Sequence, residues 1–222
     1  MKIALCMATR GILNSRTIES VLDNLEEVSN SSIGSVVYEK FFFTHNLPIP
    51  ESQNDMVKRA LKWGAHSLWF VEEDMLIPPG TLSKMIHLGK EYVAVDYPVG
   101  EKRCGCIARK KGEILWSGLG CTLIHDSVFK KIEKPWFEID RTVRITNEDP
   151  FEYVIDEGIP YKYGGHDILF GIKVREKGVE ITQLKGVTAG HIKPVKTGRM
   201  DSNNGTHEFE VWNEIKQFQD YN

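Results

Sequence analysis

The chain has 222 residues, 41% of them hydrophobic and 27% charged, with a formal net charge of −3. That length suits one domain around one substantial core, and that mixture excludes a coiled coil and a low-complexity or disordered chain. The mildly acidic balance offers no broad attraction for nucleic acid.

The chain opens MKIALCMATRG, an apolar run far too short for a signal peptide or a membrane span; it reads as a buried strand, Lys2 to Met7, ending in a turn. A cytoplasmic location is expected, with the sequons at Asn30 and Asn204 unglycosylated. Cys6, Cys104, Cys106 and Cys121 form no Cys-x-x-Cys pair, and reduced thiols are expected. A helix follows, capped by Ser15 or Thr17, with Ile18, Val21, Leu22 and Leu25 at helical spacing. Ser35 to Phe43, β-branched and aromatic, reads as a second strand. Pro48 and Pro50 then break the chain ahead of an amphipathic helix from Asn54 to Trp63.

Ser67 to Val71 is a third strand, and it runs directly into Glu72, Glu73 and Asp74. Three adjacent carboxylates repel one another unless solvent or a cation separates them. Pro78-Pro79-Gly80 stops this segment, Thr81 caps a third helix, and Tyr92 to Val95 is a fourth strand. The alternation of strands and helices predicts a mainly parallel α/β sheet, in which ligands bind beyond the carboxyl ends of the strands. Thr9-Arg10 and Glu72 to Asp74 both fall at such ends.

In the second half, Cys104 to Arg109 and Glu113 to Trp116 form a predicted hairpin, and Gly118-Leu119-Gly120 leads into the apolar run CTLI. Trp116 suits either the core or stacking on a sugar ring. Asp126 caps a short helix, and residues 140–165, polar and broken by proline and glycine, read largely as a long functional loop. His166-Asp167 opens a helix stopped by Gly178, Val179 to Leu184 is a late strand, and Gly190-His191 precedes a basic segment. No linker divides the chain, so residues 1–222 are expected to form one domain, with halves at 1–98 and 99–222.

Taken in order, these pieces resemble the metal-dependent glycosyltransferases of the GT-A fold, in particular small family 2-like members, from Lys2 to about Pro194. ATRG resembles the family's nucleotide-binding first loop. Asn54 resembles the asparagine of its Arg-Asn element, with Gln53 in place of arginine. WFVEEDMLIPPGTL resembles the strand bearing the Asp-x-Asp motif, with Glu72 in place of the first aspartate and Asp74 as the second. GLGCTLI resembles the glycine-rich acceptor-side strand, GGHDILFGIKVREKG the segment carrying the catalytic base, and GHIKP the strand of a metal-ligating histidine.

The resemblance implies an α/β, GT-A-like three-layer domain with a mainly parallel, mixed central sheet. Its first half would bind a nucleotide-sugar, and its second would carry the acceptor side. Asp74 and His191, with Glu72, would hold Mn²⁺ or Mg²⁺; hard carboxylates suit either ion and an imidazole tilts the preference to Mn²⁺. Thr9, Arg10, Asn54, Glu72, Asp96, Lys193 and Lys196 would contact the donor, and Asp167 would be the general base of an inverting transfer. As a helix N-cap, Asp167 has a second possible role. The acceptor is a hydroxyl of open class: saccharide, lipid-linked sugar, protein or a modified nucleobase in DNA. A sugar nucleotidyltransferase is the rival enzyme, although ATRGILNSR is poor in the glycine its phosphate loop requires. A sugar-nucleotide-binding module without turnover is the rival outside catalysis.

Overall fold

A computed structural model describes residues 1–9, 11, 13–31, 41–44, 47–100, 104–148, 151–160, 165–194, 209–213 and 215. The first half runs β1 (Ile3–Ala8), α1 (Ser15–Asn30), β2 (Phe41–Thr44), α2 (Ile49–Trp63), β3 (Ser67–Val71), β4 (Met75–Leu76), α3 (Thr81–Leu88), β5 (Tyr92–Asp96) and β6 (Pro98–Val99). The second runs β7 (Cys104–Gly105), β8 (Ile107–Lys110), β9 (Glu113–Ser117), β10 (Cys121–His125), α4 (Asp126–Lys131), β11 (Thr142–Glu148), β12 (Phe151–Asp156), α5 (His166–Glu176), β13 (Thr182–Thr188), β14 (Gly190–Pro194) and β15 (Phe209–Trp212).

A central sheet of six strands has the order β13-β5-β10-β3-β1-β2. β1 pairs in parallel with β2 and β3, and β13 with β5, whereas β10 is antiparallel to both β3 and β5. The CTLI run is therefore the element that makes the sheet mixed.

Side chains alternate across the pleat. Ile3, Leu5 and Met7 join Trp69 and Val71 in a core with Val21 and Leu25 of α1 and Met85 of α3. Ala4 and Cys6 join Phe70 and Tyr92 in a second core with Met56 of α2, Phe129 of α4 and Phe170 of α5. Helices thus cover both faces, which is why the inner strands read as continuous apolar runs. Removing a fully buried ring such as Trp69 costs about 3–5 kcal/mol.

Several boundaries differ from the sequence expectation. α2 begins at Ile49 and not Asn54, with Pro50 inside its first turn. A proline is accommodated there because its missing N–H has no helical partner to lose. Asn14 caps α1, and Gly80 and His125 occupy the N-cap positions of α3 and α4, in place of Ser15, Thr81 and Asp126. Half of 140–165 is hairpin and not loop: β11 and β12 pair from Thr142 opposite Asp156 to Glu148 opposite Phe151. Trp116 belongs to a small third core, edge-on to Tyr153 at 5.3 Å, with no face left for a sugar ring. Residues 35–40 of the expected second strand lie outside the described residues.

Among the described residues, no helix is long and apolar enough to cross a membrane. Cys6, Cys106 and Cys121 are free, and burial raises all three thiols, Cys121 to about 12. They are thiols, not thiolates, at neutral pH.

Candidate metal centre

After β3 the chain turns through Glu72, Glu73 and Asp74 into β4. The turn is fixed by backbone bonds: the Glu72 N–H donates to the Gly120 carbonyl at 3.2 Å, and the Met75 N–H to the Glu72 carbonyl at 3.3 Å. β4 pairs antiparallel with β14, which sets His191 opposite Met75, and the Ile192 N–H donates to the Asp74 carbonyl at 2.7 Å. β15 flanks β14 on its other side, with Trp212 opposite His191. This small sheet brings together side chains as distant in sequence as Asp74 and Lys193, 119 positions apart.

One ligand atom each from Glu72, Asp74 and His191 lies within 4.8 Å of the others. His191 Nδ1 is 2.8 Å from the Pro98 carbonyl, and Nε2 is 3.3 Å from Asp74 Oδ2. A carbonyl only accepts, so Nδ1 carries a proton. Nε2, the nitrogen facing Asp74, is the one that would ligate a cation; without an ion it is the nitrogen through which His191 meets the Asp74 carboxylate.

The His191 ring is held by aromatic edges, Tyr97 at 5.4 Å between centroids and Trp212 at 6.5 Å. Tyr97 is itself buried against Gly118 and Gly120, where a Cβ on Gly120 would stand 2.6 Å from Tyr97 Cζ. The Gly120 N–H donates to Tyr97 Oη at 3.1 Å. The Gly-x-Gly segment is thus shaped by the ring that abuts the histidine. Neither Tyr97 nor Pro98 was singled out in the sequence. Their place just past the carboxyl end of β5 was the available signal.

Charge in the cluster is unevenly held. Burial, then the carboxylates of Asp74, Asp167 and Glu73, push Glu72 up to about 8, against the pull of Lys193. Burial also acts to raise Asp74, but hydrogen bonding and charge from His191 and Lys193 bring it below the ordinary carboxylate value. The donor set of hard carboxylates and one imidazole fits Mn²⁺ or Mg²⁺, and a divalent ion supplies the positive charge that Glu72 otherwise obtains from a proton.

Asp167 stands in the first turn of α5, where Gly165 holds the N-cap position and makes no side-chain bond of its own. Its Oδ1 accepts the Ile168 N–H at 2.9 Å; its second oxygen has no hydrogen-bond partner among the described residues. It lies close enough to the cluster for its charge to act on both Glu72 and Tyr97. Lys193 Nζ is 3.1 Å from Asp74 Oδ2.

The other expected donor contacts have different partners. Asn54 is engaged with the protein's own backbone: Nδ2 donates to the carbonyls of Pro50 and Phe137 at 2.9 and 2.8 Å, while Oδ1 accepts the N–H groups of Trp136 and Phe137 at 3.0 and 3.1 Å. Both donors and both lone pairs of the amide are filled, leaving nothing for a diphosphate. Asp96 gives Oδ1 to the N–H groups of Cys106 at 2.8 Å and Tyr97 at 3.1 Å, and burial raises its pKa despite these bonds. Thr9 Oγ1 accepts the Gly11 N–H at 3.0 Å, fixing a turn in which Gly11 takes φ 93°. Arg10 and Lys196 lie outside the described residues.

No family model matches the chain, and no curated protein matches its sequence. Among solved structures it is similar to A197 from STIV, at 16% identity and a TM-score of 0.59 over 100% of both chains. It also matches a glucose-1-phosphate thymidylyltransferase from Bacillus anthracis in complex with a sucrose, at 12% identity and a TM-score of 0.39, covering 60% of this chain and 74% of that one. The second likeness is too slight to carry an argument, and the first bears on fold alone. The architecture itself is GT-A-like: three layers, a mixed and partly parallel central sheet, and an acidic cluster with a histidine at the carboxyl end of β3.

Proposed function

We propose that this protein uses a nucleotide-sugar held through a divalent cation on Glu72, Asp74 and His191, and that it transfers the sugar to a hydroxyl acceptor. The observation carrying this reading is the convergence of those three ligand atoms within 4.8 Å, with the Asp167 carboxylate near enough to act on Glu72. In this reading Glu72, Asp74 and His191 would hold the ion, which would supply positive charge against the departing diphosphate. Asp167 takes the acceptor hydroxyl proton through the carboxylate oxygen that does not bond Ile168 as the new C–O bond forms at the anomeric carbon. The bond from that carbon to the diphosphate breaks, and the nucleoside diphosphate leaves with the electron pair. Mn²⁺ is the expected ion, because an imidazole stands beside the carboxylates.

A second reading, a nucleotide-sugar-binding module without turnover, is favoured by one observation. Asp74 Oδ2 already has Lys193 and His191 against it, so the carboxylate is satisfied without an ion. A sugar nucleotidyltransferase would draw on the same donor set with a different bond broken.

A thermal-shift panel of nucleotide-sugars with and without Mn²⁺ identifies the donor before any acceptor is known. Product analysis then separates the readings. Nucleoside diphosphate release supports transfer, nucleoside triphosphate formed with added pyrophosphate supports nucleotidyl transfer, and binding without either product supports the module. Asp167→Asn should retain donor binding and lower turnover by about 10²–10⁴-fold; turnover near the wild-type rate removes Asp167 as the base.

A further inference from the structure

Lys193 Nζ lies 3.1 Å from Asp74 Oδ2, and His191 Nε2 lies 3.3 Å from the same oxygen. Lys193 belongs to β14, two residues beyond His191, and its charge also acts on Glu72. One ammonium therefore stands at the oxygen where the converging imidazole and carboxylates invite a divalent cation. Like charges at such distances repel, so an ion approaching Asp74 Oδ2 has to compete with Lys193 for it. The lysine stem is flexible and its head is a compact charge, so it can swing away without disturbing the strand that carries it.

We propose that Lys193 is a resident counter-ion that a divalent cation displaces from Asp74, and that the freed ammonium then engages the diphosphate of the donor. The inference rests on the nucleotide-sugar reading and deepens it by naming how the site is regulated. Lys193 opposes the cation when it arrives alone and favours cation and diphosphate together. The two ligands are thereby coupled, each strengthening the other through one side chain. Metal without donor is held weakly, and the apo cluster remains close to charge-balanced.

The signature is a pair of effects with opposite signs. Lys193→Gln removes the competitor, so Mn²⁺ alone, followed by loss of the free-ion signal in electron paramagnetic resonance, should bind about three- to tenfold more tightly than to wild type. The same variant loses a charge-assisted contact to phosphate, so the Mn²⁺ complex of inorganic pyrophosphate should bind about tenfold more weakly by calorimetry. A Lys193→Gln protein that binds Mn²⁺ alone no more tightly than wild type, or that binds the pyrophosphate complex equally well, overturns the inference. Wild-type protein that binds neither Mn²⁺ alone nor its pyrophosphate complex overturns the underlying metal reading as well, so the two failures are distinct. Lys193→Arg retains the charge and guards against a folding defect in the neutral variant; it should bind Mn²⁺ alone no more tightly than wild type, and tighter binding again overturns the inference. In wild-type protein with ¹³C-methylated lysines, the resonance missing from Lys193→Arg should shift on adding Mg²⁺; an unmoved resonance at saturating metal has the same contrary force.

Discussion

Two junctions in this molecule join distant segments through polar side chains, and they are built on opposite principles. At Asn54, the side-chain amide bonds the backbone of Pro50, Trp136 and Phe137, and its hydrogen-bonding capacity is used up. At the end of β3, acids converge on an imidazole, and Glu72 is pushed up to about 8 by burial and its neighbours' charge. The first junction is complete without a ligand; the second presents a donor set that a cation would fit. A polar residue in a crevice is therefore informative chiefly through what it still lacks.

The contrast is open to attack from either side. His191→Gln keeps a polar side chain of similar size but removes the imidazole donor, and it should lower Mn²⁺ affinity by about a hundredfold. Thermal stability should change by no more than about 1 kcal/mol. Metal titration of a folded variant with wild-type affinity would end the assignment of His191 as a ligand. Asn54→Ala should do the reverse. Stripping partners from buried backbone groups around Phe137 should cost about 3 kcal/mol of stability, read by denaturant unfolding. Mn²⁺ affinity of the folded protein should stay within about twofold. Loss of metal or donor binding in folded Asn54→Ala would return Asn54 to the ligand site.

The sequence made β3 and its acidic end plain, because a short apolar run stopped by three carboxylates has few other structural readings. The α/β class was legible for the same reason. His191 was reached only through a family resemblance, since β4, the strand that aligns it with Asp74, is two residues long and carries no periodic signal. The hairpin of β11 and β12 was hidden because Arg144, Asn147 and Glu152 are exposed on it, and polar exposed strands look like loop. The start of α2 was misread because the prolines placed it too late; with the helix opening at Ile49, Asn54 falls within it and reaches across to Trp136 and Phe137. Tyr97 escaped because a buried aromatic next to a strand ordinarily means packing and nothing more.

His166 tests the boundary between these two kinds of junction with the smallest expected effect. It is 6% exposed, its ring nitrogens have no hydrogen-bond partner among the described residues, and the ring meets Phe137 edgewise at 6.4 Å. Burial lowers its pKa, opposed by the Asp167 charge. The folded state therefore resists a proton that the unfolded chain accepts near pH 6.5. Stability from this group is complete above that pH and declines as the pH falls toward the lower folded value, because the unfolded state binds the proton first. His166→Leu should flatten the fall in melting temperature between pH 7.5 and 5.5. It should also raise stability at pH 7.5 by about 1 kcal/mol, since two unpaired buried nitrogens disappear. Melting curves that shift with pH identically in both proteins would mean that His166 is not held neutral, and the lack that marks the β3 cluster would then be peculiar to its carboxylates and His191.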